Sequence, residues 1–196
     1  MTLGAELDRL YQRGKTPARP DRIDVARDAL RPLVAGLQGD ARLKLMSFAE
    51  CRVRLRQEGS FGAGDAAPYQ RAVDGLRLRS YTALAEALEQ LPAQTEAGRS
   101  PDRPVNIVIL SDGEDSCGGD PCAAADRLRQ ALPHAHVSLV ALVPGAAANS
   151  CIADRTGGRF LTADNADELV MRLRQTTGQL DAAECATLDA AAPRPE

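Results

Sequence analysis

Apolar residues recur along this chain in two rhythms. After Asp21, a capping residue, Ile23, Ala26, Leu30, Leu33, Val34 and Leu37 fall at helical spacing; Pro32 is expected to kink this helix, and Gly36 and Gly39 to weaken and stop it. Arg42 to Phe48 and Cys51 to Arg56 instead alternate apolar and polar positions, which predicts two neighbouring strands in a hairpin. Gln57 to Ala67 reads as a loop, Pro68 to Leu76 as a short helix, and Leu84, Leu88 and Leu91 mark a helix ended by Pro92. The run Val105 to Leu110 (VNIVIL) is nearly continuous in apolar residues, as expected of a strand covered on both faces. Asp120 followed by Pro121 starts a helix with Ala125, Leu128 and Leu132 inward. Val137 to Val143 reads as a second buried strand, Asn149 to Arg155 as a short helix stopped at Gly157 and Gly158, and Arg159 to Thr162 as a small strand. Asp164 caps the last helix, with Ala166, Leu169, Val170 and Leu173 facing inward.

Strands alternating with helices from Ala41 to Gln175 predict an α/β architecture, a mainly parallel sheet with helices on both faces. One domain is expected over 21–178, after an N-terminal loop or extension (1–20) and before a flexible tail (179–196). A chain of 196 residues, 44% of them hydrophobic, buries a core without needing disulfides. No apolar run approaches the roughly 20 residues that span a bilayer, and the start MTLGAELDRLYQ carries acids where a signal peptide needs a basic and then an apolar stretch. The 24 basic and 27 acidic residues are interspersed, which argues against a nucleic-acid footprint. With no Trp, three Phe and three Tyr, stacking platforms for bases or sugars are scarce.

Candidate chemistry centres on Ser111-Asp112-Gly113-Glu114-Asp115-Ser116, directly after VNIVIL. Ligands of open α/β sheets sit beyond the carboxyl ends of central strands. Carboxylates and hydroxyls there suit a hard cation that takes oxygen ligands; Asp-Gly also reads as an ordinary turn. A second oxygen source is Arg79-Ser80-Tyr81-Thr82-Ala83-Leu84, where Thr82 stands either as a donor to such a site or as a helix N-cap. Glu114 and Asp115 read as solvated loop acids or as added negative potential around a metal.

Four ordered segments, RIDVARDALRPLV, SYTALAEAL, VNIVILSDGEDS and IADRTGGRFLTADNADEL, together resemble the von Willebrand factor type A domain from about Arg22 to Leu173. The resemblance implies a Rossmann-like sheet carrying a metal-ion-dependent adhesion site (MIDAS) for Mg²⁺ or another divalent cation. Carried over by position, Thr82 is the loop threonine ligand and Asp112 the loop aspartate, direct or through water. The remaining coordination position takes an acidic group from a protein or polymer partner. A non-enzymatic interaction module follows, with a metal-independent regulatory or assembly domain as the alternative. The family's first loop, DxSxS at the end of the central strand, has no counterpart before Asp21. The expectation is that the chain begins inside a longer reading frame, without the central first strand and three metal ligands. RLKLMSF and VNIVIL then keep unpaired inner edges, the chain is poorly stable or aggregation-prone, and Thr82 and Asp112 alone hold metal weakly or not at all.

Five cysteines remain: Cys51, Cys117, Cys122, Cys151 and Cys185. Gly118 and Gly119 make a disulfide from Cys117 to Cys122 feasible, whereas zinc lacks any CxxC pair. SDGEDSCGGDPC with a later cysteine before IADRTGG resembles bacterial exported members of the same family, which implies a periplasmic or extracellular location with disulfides. Buried free thiols in a cytoplasmic protein are the alternative. Cys185 is the expected leftover of the odd count. The only histidines, His134 and His136, are expected at the opposite end of the sheet from Asp112, and no nucleophile elbow is present, which speaks against a Cys-His enzyme or a hydrolase. Gly62-Ala63-Gly64 is a flexible loop and no dinucleotide fingerprint.

Overall fold

The computed structural model describes residues 22–77, 81–142, 148–163 and 166–180. Asp21, Ser80, Val143, Asp164 and Cys185, all given roles above, lie outside the described residues, as do 1–20 and 181–196. Helix α1, Arg22–Leu30, buries Val25, Ala26 and Ala29 and packs half-buried Leu30 against two cores, so its inward stripe includes Ala26 and Leu30 as read from the sequence, with Val25 and Ala29 added and Ile23 only half-buried. Pro32 does not kink this helix. Its ring cannot accept a preceding helical turn, so α1 ends and Pro32 caps a separate 3-10 turn, Leu33–Gly36.

The hairpin forms as expected, but with a different second strand. β1, Leu43–Ser47, pairs antiparallel with β2, Arg56–Phe61, from Leu43 opposite Phe61 to Ser47 opposite Arg56, with an irregularity at Leu45/Met46. The alternating stretch from Cys51 to Leu55 is loop, because its polar groups are taken up elsewhere. Arg52 has φ +62°, the Arg52 amide donates to Glu86 Oε2 at 2.5 Å, and the Leu55 amide donates to Gln90 Oε1 at 2.8 Å. Gly59 lets Phe61 fold over it, since a Cβ there would stand 2.2 Å from the ring.

Helix α2, Ala66–Gly75, follows, then α3, Leu84–Gln90, extended by a 3-10 turn at Leu91–Ala93. β3, Val105–Ser111, β4, Ala135–Ala141, and β5, Phe160–Thr162, form a parallel sheet in the order β3-β4-β5. Helices α4, Pro121–Ala131, α5, Ser150–Thr156, and α6, Ala166–Thr176, complete the fold. Asp120 caps α4 as read from the sequence, its Oδ1 accepting from the Ala123 amide at 3.0 Å. Both faces of the sheet are covered. Ile109, Val137 and Leu139 pack on Leu84 and Leu88 of α3, Leu128 of α4 and Ile152 of α5. Val140 and Leu142 pack on Val25 and Ala29 of α1 and on Leu169 and Leu173 of α6. This is the doubly covered α/β arrangement predicted by the chain's alternation.

Among the described residues no ladder joins β1 to β3. Yet both strands feed the same cores: Leu43 with Val108 and Leu110 on one face, Met46 and Phe48 with Val105 and Ile107 on the other. The amide of Val105 donates to His134 O at 3.1 Å and Ser111 O accepts from the Leu142 amide at 3.0 Å. In a parallel ladder, that phase turns the backbone groups of Asn106, Val108 and Leu110 away from β4.

A third core joins the hairpin to α2 through Val34, Leu45, Phe61, Tyr69 and Val73. Tyr69 is fully buried, edge-on to Phe61 with ring centroids 5.2 Å apart, and its hydroxyl donates to Leu30 O at 2.8 Å. Burial pushes this phenol up to about 12. The raised value belongs to the folded chain, so its contribution is complete below about pH 10 and is lost as pH rises through about 12, on the order of 2–3 kcal/mol. Tyr69→Phe is expected to flatten that stretch of the stability curve, at the cost of about 1 kcal/mol of lost hydrogen bonding at neutral pH. Urea midpoints of both proteins across the alkaline range check it; parallel curves would show that Tyr69 is not the group responsible.

Candidate functional site

The carboxyl end of β3 leads into the segment from Asp112 to Asp120, which lies against the N-terminal end of α3. Ser111 is buried; its hydroxyl donates to Gly113 O at 3.0 Å, and buried Asn149 donates its side-chain amide to the same oxygen at 3.3 Å. These bonds fix the Asp112–Gly113 turn above the sheet. Thr82 is stitched to the same loop from the other side. Its amide donates to Ser116 Oγ at 2.7 Å, and the Ser116 amide donates to Thr82 O at 3.0 Å. The Thr82 hydroxyl reaches the turn: a Cβ on Gly113 would stand 3.8 Å from Oγ1. Thr82 and the Asp112–Gly113 turn are thus brought together, both half-buried at one rim.

The helix-capping role considered for Thr82 is not what the structure shows. The N-cap position of α3 is Ala83, which offers no side-chain acceptor. The acceptor comes instead from Asp115, whose Oδ2 takes the Ala85 amide at 2.9 Å while Oδ1 takes the amides of Cys117 and Gly119, each at 3.0 Å. Asp115 is therefore neither a solvated loop acid nor a free source of negative potential. A carboxylate at a helix N-terminus satisfies amides that otherwise lack partners.

The disulfide that the sequence makes feasible between Cys117 and Cys122 does not form. Cys117 pairs with Cys51 and Cys122 with Cys151, with Cα separations of 5.4 and 5.5 Å. Proximity along the chain loses here to tertiary placement: Cys117 in the loop and Cys122 in the first turn of α4 are carried to different elements. Cys51 comes from the loop between the hairpin strands and Cys151 from the first turn of α5, so the first bridge anchors the loop carrying Asp112 and the second ties α4, which follows that loop, to α5. The four described cysteines are all paired, and His134 and His136 stand at the start of β4, the far end of a parallel sheet from Asp112. No Cys-His pair arises among these residues. Gly62 and Gly64 do lie between a strand and a helix, but β2 is antiparallel and only partly buried, so it is not the buried parallel strand that a dinucleotide fingerprint follows.

Among the described residues, no group of three His, Cys, Asp or Glu side chains stands together as a metal cluster. By residue type, Thr82 and Asp112 offer one hydroxyl and one carboxylate. Those donors are of the hard-oxygen type that Mg²⁺ takes, but they are fewer than its octahedral shell requires. No helix among the described residues is long and apolar enough to cross a membrane.

No protein-family profile matches the chain. The uncharacterized protein YwmD of Bacillus subtilis is 24% identical over 161 residues, 75% of this chain and 71% of that protein. Among solved structures, an aerotolerance-related membrane protein from Bacteroides fragilis carrying multiple mutations to serines superposes with a TM-score of 0.63 at 17% identity, covering 83% of this chain and 91% of that one. A von Willebrand factor type A protein from Catenulispora acidiphila gives 0.64 at 18% identity, over 80% of this chain and 38% of that one. Proximal thread matrix protein 1 of the mussel byssus, with a zinc-occupied MIDAS motif, gives 0.62 at 14% identity over 87% of this chain and 44% of that one.

Proposed function

We propose, on the premise that the described residues have a von Willebrand factor type A-like fold, that this protein is a non-enzymatic interaction module whose partner docks at the rim of Thr82 and Asp112. One observation carries the reading: the Thr82 hydroxyl, relieved of capping α3, faces the Asp112–Gly113 turn beyond the carboxyl end of β3. Thr82 and Asp112 are the residues of this chain that would hold a divalent cation, Mg²⁺ by donor type. Such an ion supplies a coordination position for an acidic group of a protein or polymer partner.

The remaining donors are assigned to a strand ending in the DxSxS pattern, contributed from outside the described residues and running along the edge of β3 at Asn106, Val108 and Leu110. That edge offers backbone groups turned away from β4 and apolar side chains toward both cores. With Thr82 and Asp112 alone, metal binding is weak or absent. The two disulfides favour an oxidising compartment, so the protein is read as periplasmic or extracellular.

Manganese titration of the disulfide-intact chain tests this, followed by electron paramagnetic resonance with and without an upstream apolar strand ending in DxSxS. Binding is expected to be weak in the chain alone, to tighten with the strand, and to disappear in Thr82→Ala and Asp112→Ala of the strand-bearing protein. Manganese affinity that ignores both substitutions, or is absent even with the strand, overturns the metal reading. Partner capture that is then indifferent to chelator selects the metal-independent assembly domain.

A further inference from the structure

Three features converge at the N-terminal end of α3. The first turn of the helix lacks a capping side chain of its own, Asp115 supplies the acceptor from a loop 30 residues away, and Ser116, the next residue, holds Thr82 by two reciprocal bonds. The Asp115 carboxylate reaches two ways. One oxygen faces the helix at Ala85; the other gathers the amides of Cys117 and Gly119 and shapes the loop. Gly119 allows this approach, since a Cβ there would stand 2.4 Å from the Ala85 Cβ. Cys117, whose amide Asp115 holds, is bonded to Cys51, so the loop is also tethered from the hairpin side.

We propose that Asp115 is a positioning residue: it is not a ligand itself, but sets the distance between the Thr82 hydroxyl and the Asp112–Gly113 turn by clasping the loop to α3. This rests on the Thr82–Asp112 rim being the binding site. Both carboxylate oxygens of Asp115 are engaged with backbone amides, and the Ser116–Thr82 bonds transmit any shift of the loop directly to the threonine. Its role is that of an outer-shell group that orients a ligand.

Asp115→Asn separates the two halves of the clasp. An amide keeps one carbonyl oxygen for Cys117 and Gly119 but presents an NH₂ group to the Ala85 amide, which severs the link to α3 and leaves the loop turn. Hydrogen exchange on the disulfide-intact full chain is the first readout. Faster exchange is expected at the Thr82 and Ala85 amides, with Val137 and Leu139 in β4 unchanged. Manganese affinity of the strand-bearing protein is the second: about tenfold weaker binding is expected. Loss of affinity with exchange at Val137 and Leu139 unchanged is what separates positioning of the rim from a merely structural effect on stability, which would speed exchange in β4 as well.

Gly119→Ala, which pushes the loop off Ala85 without altering the carboxylate, serves as the second variant should Asp115→Asn not fold, and the same exchange pattern is expected. If the strand-bearing protein binds no manganese, the metal reading falls while the exchange data still judge Asp115. Unchanged exchange at Thr82 and Ala85, or undiminished affinity in a protein that does bind, overturns the positioning role.

Discussion

Replacing Cys51 and Cys117 with serine is expected to lower the stability of the oxidised chain by about 4 kcal/mol, and its melting temperature by roughly 10 °C. The bridge closes a separation of 66 residues, so most of the effect is unfolded-chain entropy that the crosslink removes. The native state adds a second reason. The two-stranded and three-stranded sheets share cores but no hydrogen-bonded ladder among the described residues, and Cys51–Cys117 is a covalent tie between them. Replacing Cys122 and Cys151 removes a crosslink over 29 residues, and roughly 3.5 kcal/mol is expected. Against a net stability on the order of 5–15 kcal/mol, loss of both bridges removes about half of it or more. Thermal unfolding of the two double variants beside the parent measures this. A Cys51/Cys117 variant that melts with the parent would mean that the bridge constrains nothing the cores do not already hold.

The second large effect is expected at Gly158. A methyl group added there would stand 2.0 Å from Val137 O and 2.3 Å from its carbonyl carbon, both in the backbone of β4. β4 is the middle strand, paired to β3 on one side and β5 on the other, so it cannot recede without breaking a ladder. Gly158→Ala is expected to cost about 3 kcal/mol or more, because the obstacle is main chain and not the end of a movable side chain. The damage is local to a dense junction. The Val137 amide donates to Thr156 Oγ1 at 3.1 Å, and Gly157 before it ends α5 at φ +71°. Gly64→Ala is the control; nothing lies within 4 Å of its added Cβ, and a change within about 0.5 kcal/mol is expected. Equal denaturant midpoints for the two variants would refute the close approach at Gly158.

Much of the fold was legible along the chain wherever one local signal was strong enough. The apolar run at β3, the Asp120-Pro121 start of α4 and the Gly157-Gly158 stop stand where the sequence places them, while β4 begins two residues before the predicted Val137. Boundaries were lost where tertiary partners compete. Cys51 to Leu55 alternates like a strand, but Glu86, Gln90 and Cys117 claim its backbone and sulfur, and the pairing passes to Arg56–Phe61. Asp115 was invisible as the α3 cap because helix-start rules look at the residues immediately before a helix, and this acceptor arrives from 30 residues downstream. Asn149 gave no signal either: it reads as a helix start, and its buried amide in fact supports Gly113 O.

The order of strands and helices, the two-sided burial of the sheet and the oxygen-rich turn after its strongest strand were determined by sequence alone. Each depends on side-chain periodicity and on residues within a few positions of one another. The disulfide partners, the capping of α3 and the meeting of Thr82 with Gly113 were decided only by tertiary structure. Those are contacts between segments tens of residues apart, and no local propensity favours one such pairing over another until packing has brought the segments together.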